Sequence, residues 1–116
     1  MSFNSPDYPL LMADRFRGYL PVVVDVETAG FNPQTDALLE VAATILTMDE
    51  NGMLIPEQTI DCNVTPFEGA NLEQAALDFT GIDPFAEDRQ AMDENAALES
   101  IFKPIRKAVK ANRCKR

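Results

Sequence analysis

The stretch from Val22 to Phe31, read as Val-Val-Val-Asp-Val-Glu-Thr-Ala-Gly-Phe, constrains this chain more than any other. Four valines in five positions predict a strand buried on both faces, because β-branched side chains fit a pleated surface and polar alternation is missing. Asp25 and Glu27 do not belong there by propensity. Residues two apart on a strand share a face, so the two carboxylates start roughly 7 Å apart and project side by side. Like charges held that close must both reach water or share a cation. A divalent metal is the sharper expectation and a solvated strand end the plainer one.

Residue usage narrows the choice of cation. The chain has no histidine, which removes the commonest general base at neutral pH and the commonest transition-metal ligand. Carboxylates remain, and with them hard, oxygen-binding ions such as Mg²⁺ or Mn²⁺. Two cysteines, Cys62 and Cys114, are too few and too far apart for a disulfide framework or a zinc site, and are expected to be free thiols. No apolar run approaches the roughly 18 residues of a membrane span, and the N-terminus lacks a signal-peptide pattern. The expectation is a cytoplasmic protein with no membrane association. At 116 residues the chain can form one small domain with a real core but not two.

Charge is segregated along the sequence. Up to residue 102, three bases face nineteen acids, a net of −16, whereas the last fourteen residues carry seven bases and no acid. That asymmetry predicts a basic surface directed at nucleic acid or an acidic partner. A solvated helix face is the plainer reading of the same tail.

Along the chain, residues 1–8 read as a loose N-terminal arm, and residues 9–116 as one domain. Pro9 to Arg17 reads as a short helix stopped by Gly18. Arg15 and Arg17 at its end serve either the helix dipole or a phosphate. The strand from Pro21 to Thr28 follows, then a second at Leu38 to Met48, and the turn Asp49-Glu50-Asn51-Gly52. A third strand falls between Met53 and Val64, interrupted by Pro56. Short connections make these an antiparallel meander. Glu40, inside the second strand, is read as solvent-facing or hydrogen-bonded, with a place beside a metal as the alternative.

Asn71 to Phe79 reads as a short helix capped by Asn71 and ended before Gly81. From about Asp93, the residues Leu98, Ile101, Phe102, Ile105 and Val109 recur at helical spacing over about five turns, with Pro104 expected to kink or break the helix. A long helix after a sheet normally returns to another strand, and none follows here, so the sequence reads as unfinished.

The acid pair alone is a weak motif: with ten Asp and nine Glu in 116 residues, chance supplies about 0.8 Asp-x-Glu triplets. Haloacid dehalogenase-like phosphatases also end their first strand in Asp-x-Asp-x-Thr or Val. Here the second acid is Glu and the meander does not suit their parallel sheet.

A closer resemblance is to the DEDD 3′→5′ exonucleases. Val24-Asp25-Val26-Glu27-Thr28-Ala29-Gly30-Phe31 resembles their first motif, and Leu39-Glu40-Val41-Ala42-Ala43 their second strand. Asp14-Arg15-Phe16-Arg17-Gly18, Thr35-Asp36-Ala37-Leu38-Leu39-Glu40, Pro66-Phe67-Glu68-Gly69-Ala70-Asn71-Leu72 and Phe79-Thr80-Gly81-Ile82-Asp83-Pro84 are similar to the ribonuclease T branch of that family. The resemblance implies a ribonuclease H-like fold, here truncated to the meander and its helices, and two-metal hydrolysis of a terminal phosphodiester with Mg²⁺ or Mn²⁺. It makes Asp25 and Glu27 catalytic metal ligands, and Phe31 and Phe79 platforms for 3′-terminal bases. For Phe79, ordinary core packing is the alternative.

By the same resemblance Arg15, Arg17, Lys110 and Arg113 bind the nucleic acid and serve the opposite subunit of a homodimer. The implied substrates are single-stranded 3′ ends of structured RNAs, in tRNA end turnover and stable-RNA maturation, with single-stranded DNA also degraded. Two later histidine-bearing motifs of the family have no counterpart here, so the 116 residues by themselves are expected to be inactive. The rival reading is a non-catalytic nucleic-acid-binding or dimerisation module.

Overall fold

The computed structural model describes residues 11–116. The expected N-terminal arm and the first residues of the expected first helix lie outside the described residues. Three strands form one antiparallel sheet in the order β1-β2-β3: β1 Val22–Thr28, β2 Leu38–Met48 and β3 Leu54–Asn63. Helix α1 spans Gln74–Thr80 and helix α2 Glu94–Ala111.

The central strand explains why the sheet forms. Leu39, Val41, Ala43 and Ile45 of β2 are at most 4% exposed, and the residues between them are half-buried. This period of two puts a continuous apolar row on one face. The β2–β3 turn is built as its sequence demands. Asp49 Oδ1 accepts the backbone N–H groups of Asn51 at 2.8 Å and Met53 at 2.9 Å, and Gly52 takes a φ of 80° that only glycine adopts freely.

The described residues divide into two compact units. One comprises Val24–Ala43 and Ile60–Phe102. Its core joins Ala29, Ala37 and Leu39 to the partly buried Ala70, Leu72, Leu77 and Ile82. Cys62 Sγ lies 2.9 Å from Ser100 Oγ, which links β3 to α2, and Ala97 and Ile101 of α2 are buried. The other unit holds the described residues up to 23, Thr44–Thr59 and Lys103–Arg116. Within it, Thr44 and Thr59 hydroxyls meet at 2.9 Å, and the Lys115 N–H donates to the Gly18 carbonyl at 2.7 Å.

Several expectations need correction. β1 is not covered on both faces: Val23 and Val24 are 58% exposed and Val26 46%. It is an edge strand with no neighbour on its outer side among the described residues. Hydrophobicity reports which surface favours cover, not what supplies it. Pro56 lies within an unbroken β3 because β3 is the opposite edge, where a missing N–H costs least. Instead of one helix before Gly18, there are two 3₁₀ turns, Met12–Asp14 and Phe16–Gly18, with Arg17 at φ 59°. α2 runs through Pro104 without a break. Both cysteines are free, as expected.

Leu39→Ala, at a side chain fully shielded from solvent, is expected to cost about 2–5 kcal/mol in urea or thermal unfolding. Val23→Thr, at an exposed edge position, is expected to stay within about 0.5 kcal/mol. Equal losses would show that β1 is covered after all.

Candidate nucleic-acid end site

Asp25 and Glu27 stand two apart on β1 and line one cleft of about 390 Å³ with Glu40, Asp61, Asn63 and Arg89 among its walls. Asp25 is exposed and Glu27 half-buried, and no charged or polar side chain is buried among the described residues. The strand therefore tolerates its two acids by leaving them in reach of water. Glu40 is half-buried in the same cleft, on the face of β2 opposite the buried row.

Arg89 brings a cation to this wall. Its Nη1 donates to the Pro84 carbonyl at 2.6 Å and its Nη2 to the Leu39 carbonyl at 2.7 Å, while Asn63 Nδ2 donates to the Arg89 carbonyl at 2.7 Å. Charge-assisted bonds of this kind are about twice as strong as neutral ones, so Arg89 clamps the 84–89 segment to β2 and β3.

The donor chemistry of Asp25 and Glu27 suits a hard divalent ion, whose ligands are oxygens. Their number is short: among the described residues no three His, Cys, Asp or Glu side chains converge as a metal-holding group. The pair would hold an ion only with further oxygens from other sources.

A second cleft, of about 710 Å³, adjoins the first because Val26 and Glu27 line both. Phe31 and Phe79 lie on its wall and are almost wholly in solvent, at 104% and 90% exposure. Among the described residues Phe79 therefore has no part in the core. An exposed aromatic pair beside carboxylates is an unusual use of apolar surface and points to a planar ligand.

The backbone holding these rings is closely tied. The Ala29 N–H donates to the Ala37 carbonyl at 2.8 Å, the Glu73 N–H to the Ala29 carbonyl at 2.8 Å, and Thr28 Oγ1 to the Gly30 carbonyl at 2.8 Å. Gly81, at φ 73°, closes α1 with its N–H on the Leu77 carbonyl at 2.9 Å.

With this geometry in view, comparison with known proteins places the chain. The family model described as Exonuclease matches residues 22–114. The chain belongs to this exonuclease family. Proteins named Ribonuclease T are similar to it: 63% identical over 115 residues in Hahella chejuensis, covering 99% of this chain and 52% of that protein. The corresponding protein of Marinobacter nauticus is 64% identical over 113 residues, 97% of this chain and 50% of the relative. That of Vibrio cholerae is 62% identical over 108 residues, 92% and 48% respectively. The chain spans about half the length of the curated relatives it matches.

The four basic residues expected at the site of this exonuclease-family chain all lie in the other compact unit. Arg15 has structural work: its Nη1 donates to the Gly52 carbonyl at 2.8 Å and contacts Met48 Sδ at 3.2 Å, and its guanidinium sits 5.1 Å from the Phe16 ring. Arg17, Lys110 and Arg113 are exposed. Lys115, which sequence reasoning did not single out, lies with Nζ 5.4 Å from the Tyr19 ring and its side chain against Gly18. The C-terminal tail is thereby fastened to the turn that carries Arg17.

Sequence reasoning also missed Asp36, Asn71 and Arg89. Asn71 is not a helix cap. α1 begins after Glu73, and Asn71 Nδ2 instead donates to Asp36 Oδ1 at 2.9 Å and Glu73 Oε1 at 2.8 Å. The only available signal was an Asn on one side and Thr35-Asp36 on the other, and nothing in the sequence pairs them.

Asp36 has its carboxyl held below the ordinary value of 3.8, chiefly by the Asn32 N–H and then by the Asn71 amide and the Thr35 hydroxyl, with burial opposing. A folded-state value below the unfolded one means stability present above 3.8 and lost as pH falls through the lowered value. Asp36→Asn is therefore expected to unfold at lower temperature than wild type near neutral pH. The gap should hold until pH approaches 3.8 and shrink below it, as read in melting curves against pH.

Proposed function

We propose that this chain supplies the substrate end and two metal ligands of a 3′→5′ exoribonuclease that trims single-stranded 3′ ends of structured RNAs. The observation that carries the reading is that Glu27 lines both clefts, which sets the carboxylate pair beside the two exposed phenylalanines. Family membership and relatives named Ribonuclease T support it. Substrates on this reading are tRNA ends and maturing stable RNAs, with single-stranded DNA also cut.

Asp25 and Glu27 would hold divalent ions, Mg²⁺ or Mn²⁺, together with ligands from outside these 116 residues. Such ions supply charge neutralisation for the attacking and leaving oxygens of an in-line phosphodiester displacement. The chain's own residues do the selecting. Phe31 and Phe79 receive unpaired terminal bases, and stacking of about 1–3 kcal/mol per base tolerates any sequence because every base has a π-face. A paired base has its faces occupied, so the rings favour a free end.

The basic residues Arg15, Arg17, Lys110 and Arg113 complete the reading as phosphate contacts. They act in a homodimer, where one copy's basic unit serves the carboxylates of the other. Phosphates near the acid pair need such counter-charge, and binding should weaken steeply with salt. A cytoplasmic location follows from these substrates.

In the full-length protein, Asp25→Asn or Glu27→Gln is expected to lower kcat by about 10²–10³-fold, on the scale of losing a principal electrostatic group. Phe79→Ala is expected to raise KM about 5- to 150-fold on a single-stranded oligoribonucleotide while changing kcat little. The 116-residue chain assayed by itself with Mg²⁺ is expected to show no 3′→5′ hydrolysis and no tight Mg²⁺ binding in calorimetry. Wild-type rates in Asp25→Asn would leave a non-catalytic binding module as the better account.

A further inference from the structure

Asp36 belongs to neither the acid pair nor the aromatic pair, yet it lines the aromatic cleft and has three hydrogen-bond donors on its carboxylate. Its Oδ2 accepts the Asn32 N–H at 2.9 Å. Its Oδ1 accepts Thr35 Oγ1 at 3.0 Å and Asn71 Nδ2 at 2.9 Å. Three of the carboxylate's roughly four acceptor sites are therefore taken by the protein itself.

The partners lead from one phenylalanine to the other. Asn32 immediately follows Phe31. Asn71 shares its amide between Asp36 and Glu73 Oε1, and Glu73 is the residue from which α1 starts, six positions before Phe79. The backbone is closed on itself at two further points, with the Asn71 N–H on the Thr35 carbonyl at 2.7 Å and the Ala37 N–H on the Asn71 carbonyl at 3.2 Å. Gly30 shows how tight the arrangement is. A Cβ added there would overlap Asp36 Oδ2, come within 2.7 Å of Asp36 Cγ and 3.1 Å of Glu73 Cγ. The loop bearing Phe31 lies directly on the two carboxylate side chains, and only glycine permits that approach.

We propose that Asp36 is a positioning residue for the terminal nucleotide: through Asn32 on one side and the Asn71–Glu73 pair on the other, it fixes Phe31 and Phe79 relative to each other. The inference rests on the reading of these rings as a base-binding site. Both rings are exposed and make no core contact that could orient them, so their spacing depends on the backbone beneath. A hydrogen-bonded chain of this kind sets geometry to a fraction of an ångström, which stacking requires and phosphodiester cleavage does not take from the same groups. Asp36 therefore governs where the end sits and not the chemical step.

The test uses the full-length protein and a single-stranded oligoribonucleotide with 2-aminopurine as its 3′-terminal base, whose fluorescence reports stacking. Base-free bis(p-nitrophenyl) phosphate reports the hydrolytic centre alone. Asp36→Ala is expected to raise KM for the oligonucleotide about tenfold, to hold kcat within about threefold, and to abolish most of the fluorescence change on binding. Hydrolysis of the base-free diester is expected to fall no more than about threefold. Asn71→Ala and Gly30→Ala are expected to reproduce this pattern, and Asp36→Asn, which keeps one acceptor oxygen, to lie between.

Wild-type KM and fluorescence in Asp36→Ala, alongside a raised KM in Phe79→Ala, would overturn the role of Asp36 and leave the base-binding reading intact. No change in Phe31→Ala or Phe79→Ala would overturn that reading itself, and the inference with it. Equal loss on both substrates, with a lowered melting temperature, would show that Asp36 merely supports the fold and would also overturn the proposal.

Discussion

Two carboxylates on one face of one strand repel each other, and most of this structure answers to that constraint. A buried pair would cost several kcal/mol per uncompensated charge, far more than an edge strand can recover from its valines. The sheet resolves the conflict by position. β2 takes the centre and the continuous apolar row, while β1 takes an edge, where Asp25 and Glu27 stay in reach of water. The cleft they line receives Arg89, whose guanidinium is held by two backbone carbonyls.

The same economy governs the loop after β1. Thr28 braces the loop by its hydroxyl on the Gly30 carbonyl, while Ala29 through its backbone and Gly30 through its missing side chain bring the chain onto Asp36, Ala37 and Glu73. This frees Phe31 to project outward at no cost to the core. Exposing a phenylalanine sacrifices the stabilisation its burial would give, and on the proposed reading the two rings beside one cleft serve a ligand rather than folding.

What the sequence disclosed follows from the range of the interactions. β2 was legible residue for residue, from Leu38 to Met48, because a long apolar, β-branched run and a strong turn signal at Asp49–Gly52 are local. The Gly81 stop was legible for the same reason. Burial of β1 was misread because exposure of Val23 and Val24 depends on strand order, which is not local. Pro56 and Pro104 were both overweighted: an edge strand and an amphipathic helix absorb a missing N–H that an isolated element would not. The acid pair stood out by its place in an apolar, β-branched run, whereas the phenylalanines were singled out only through family resemblance. Asp36 and Asn71 are 35 positions apart and share a hydrogen bond that no spacing rule encodes.

On the proposed reading, the adjoining clefts divide recognition in a way that explains selection for an end. Stacking on Phe31 and Phe79 contributes about 1–3 kcal/mol per base without regard to identity, whereas a duplex terminus must first lose its own stacking and pairing before it can occupy the rings. The two costs are of similar size, so a paired end gains almost nothing by entering and a single-stranded end gains the full amount. Glu27, on the wall common to both clefts, lies where the aromatic surface gives way to the acid pair. A base seated on the rings therefore brings its phosphate toward carboxylates that would repel it unless cations or basic residues intervene. Occupancy of the aromatic cleft and neutralisation of the acids are then coupled: each makes the other more favourable, and neither Asp25 nor Glu27 needs a base-specific contact for the end to be found.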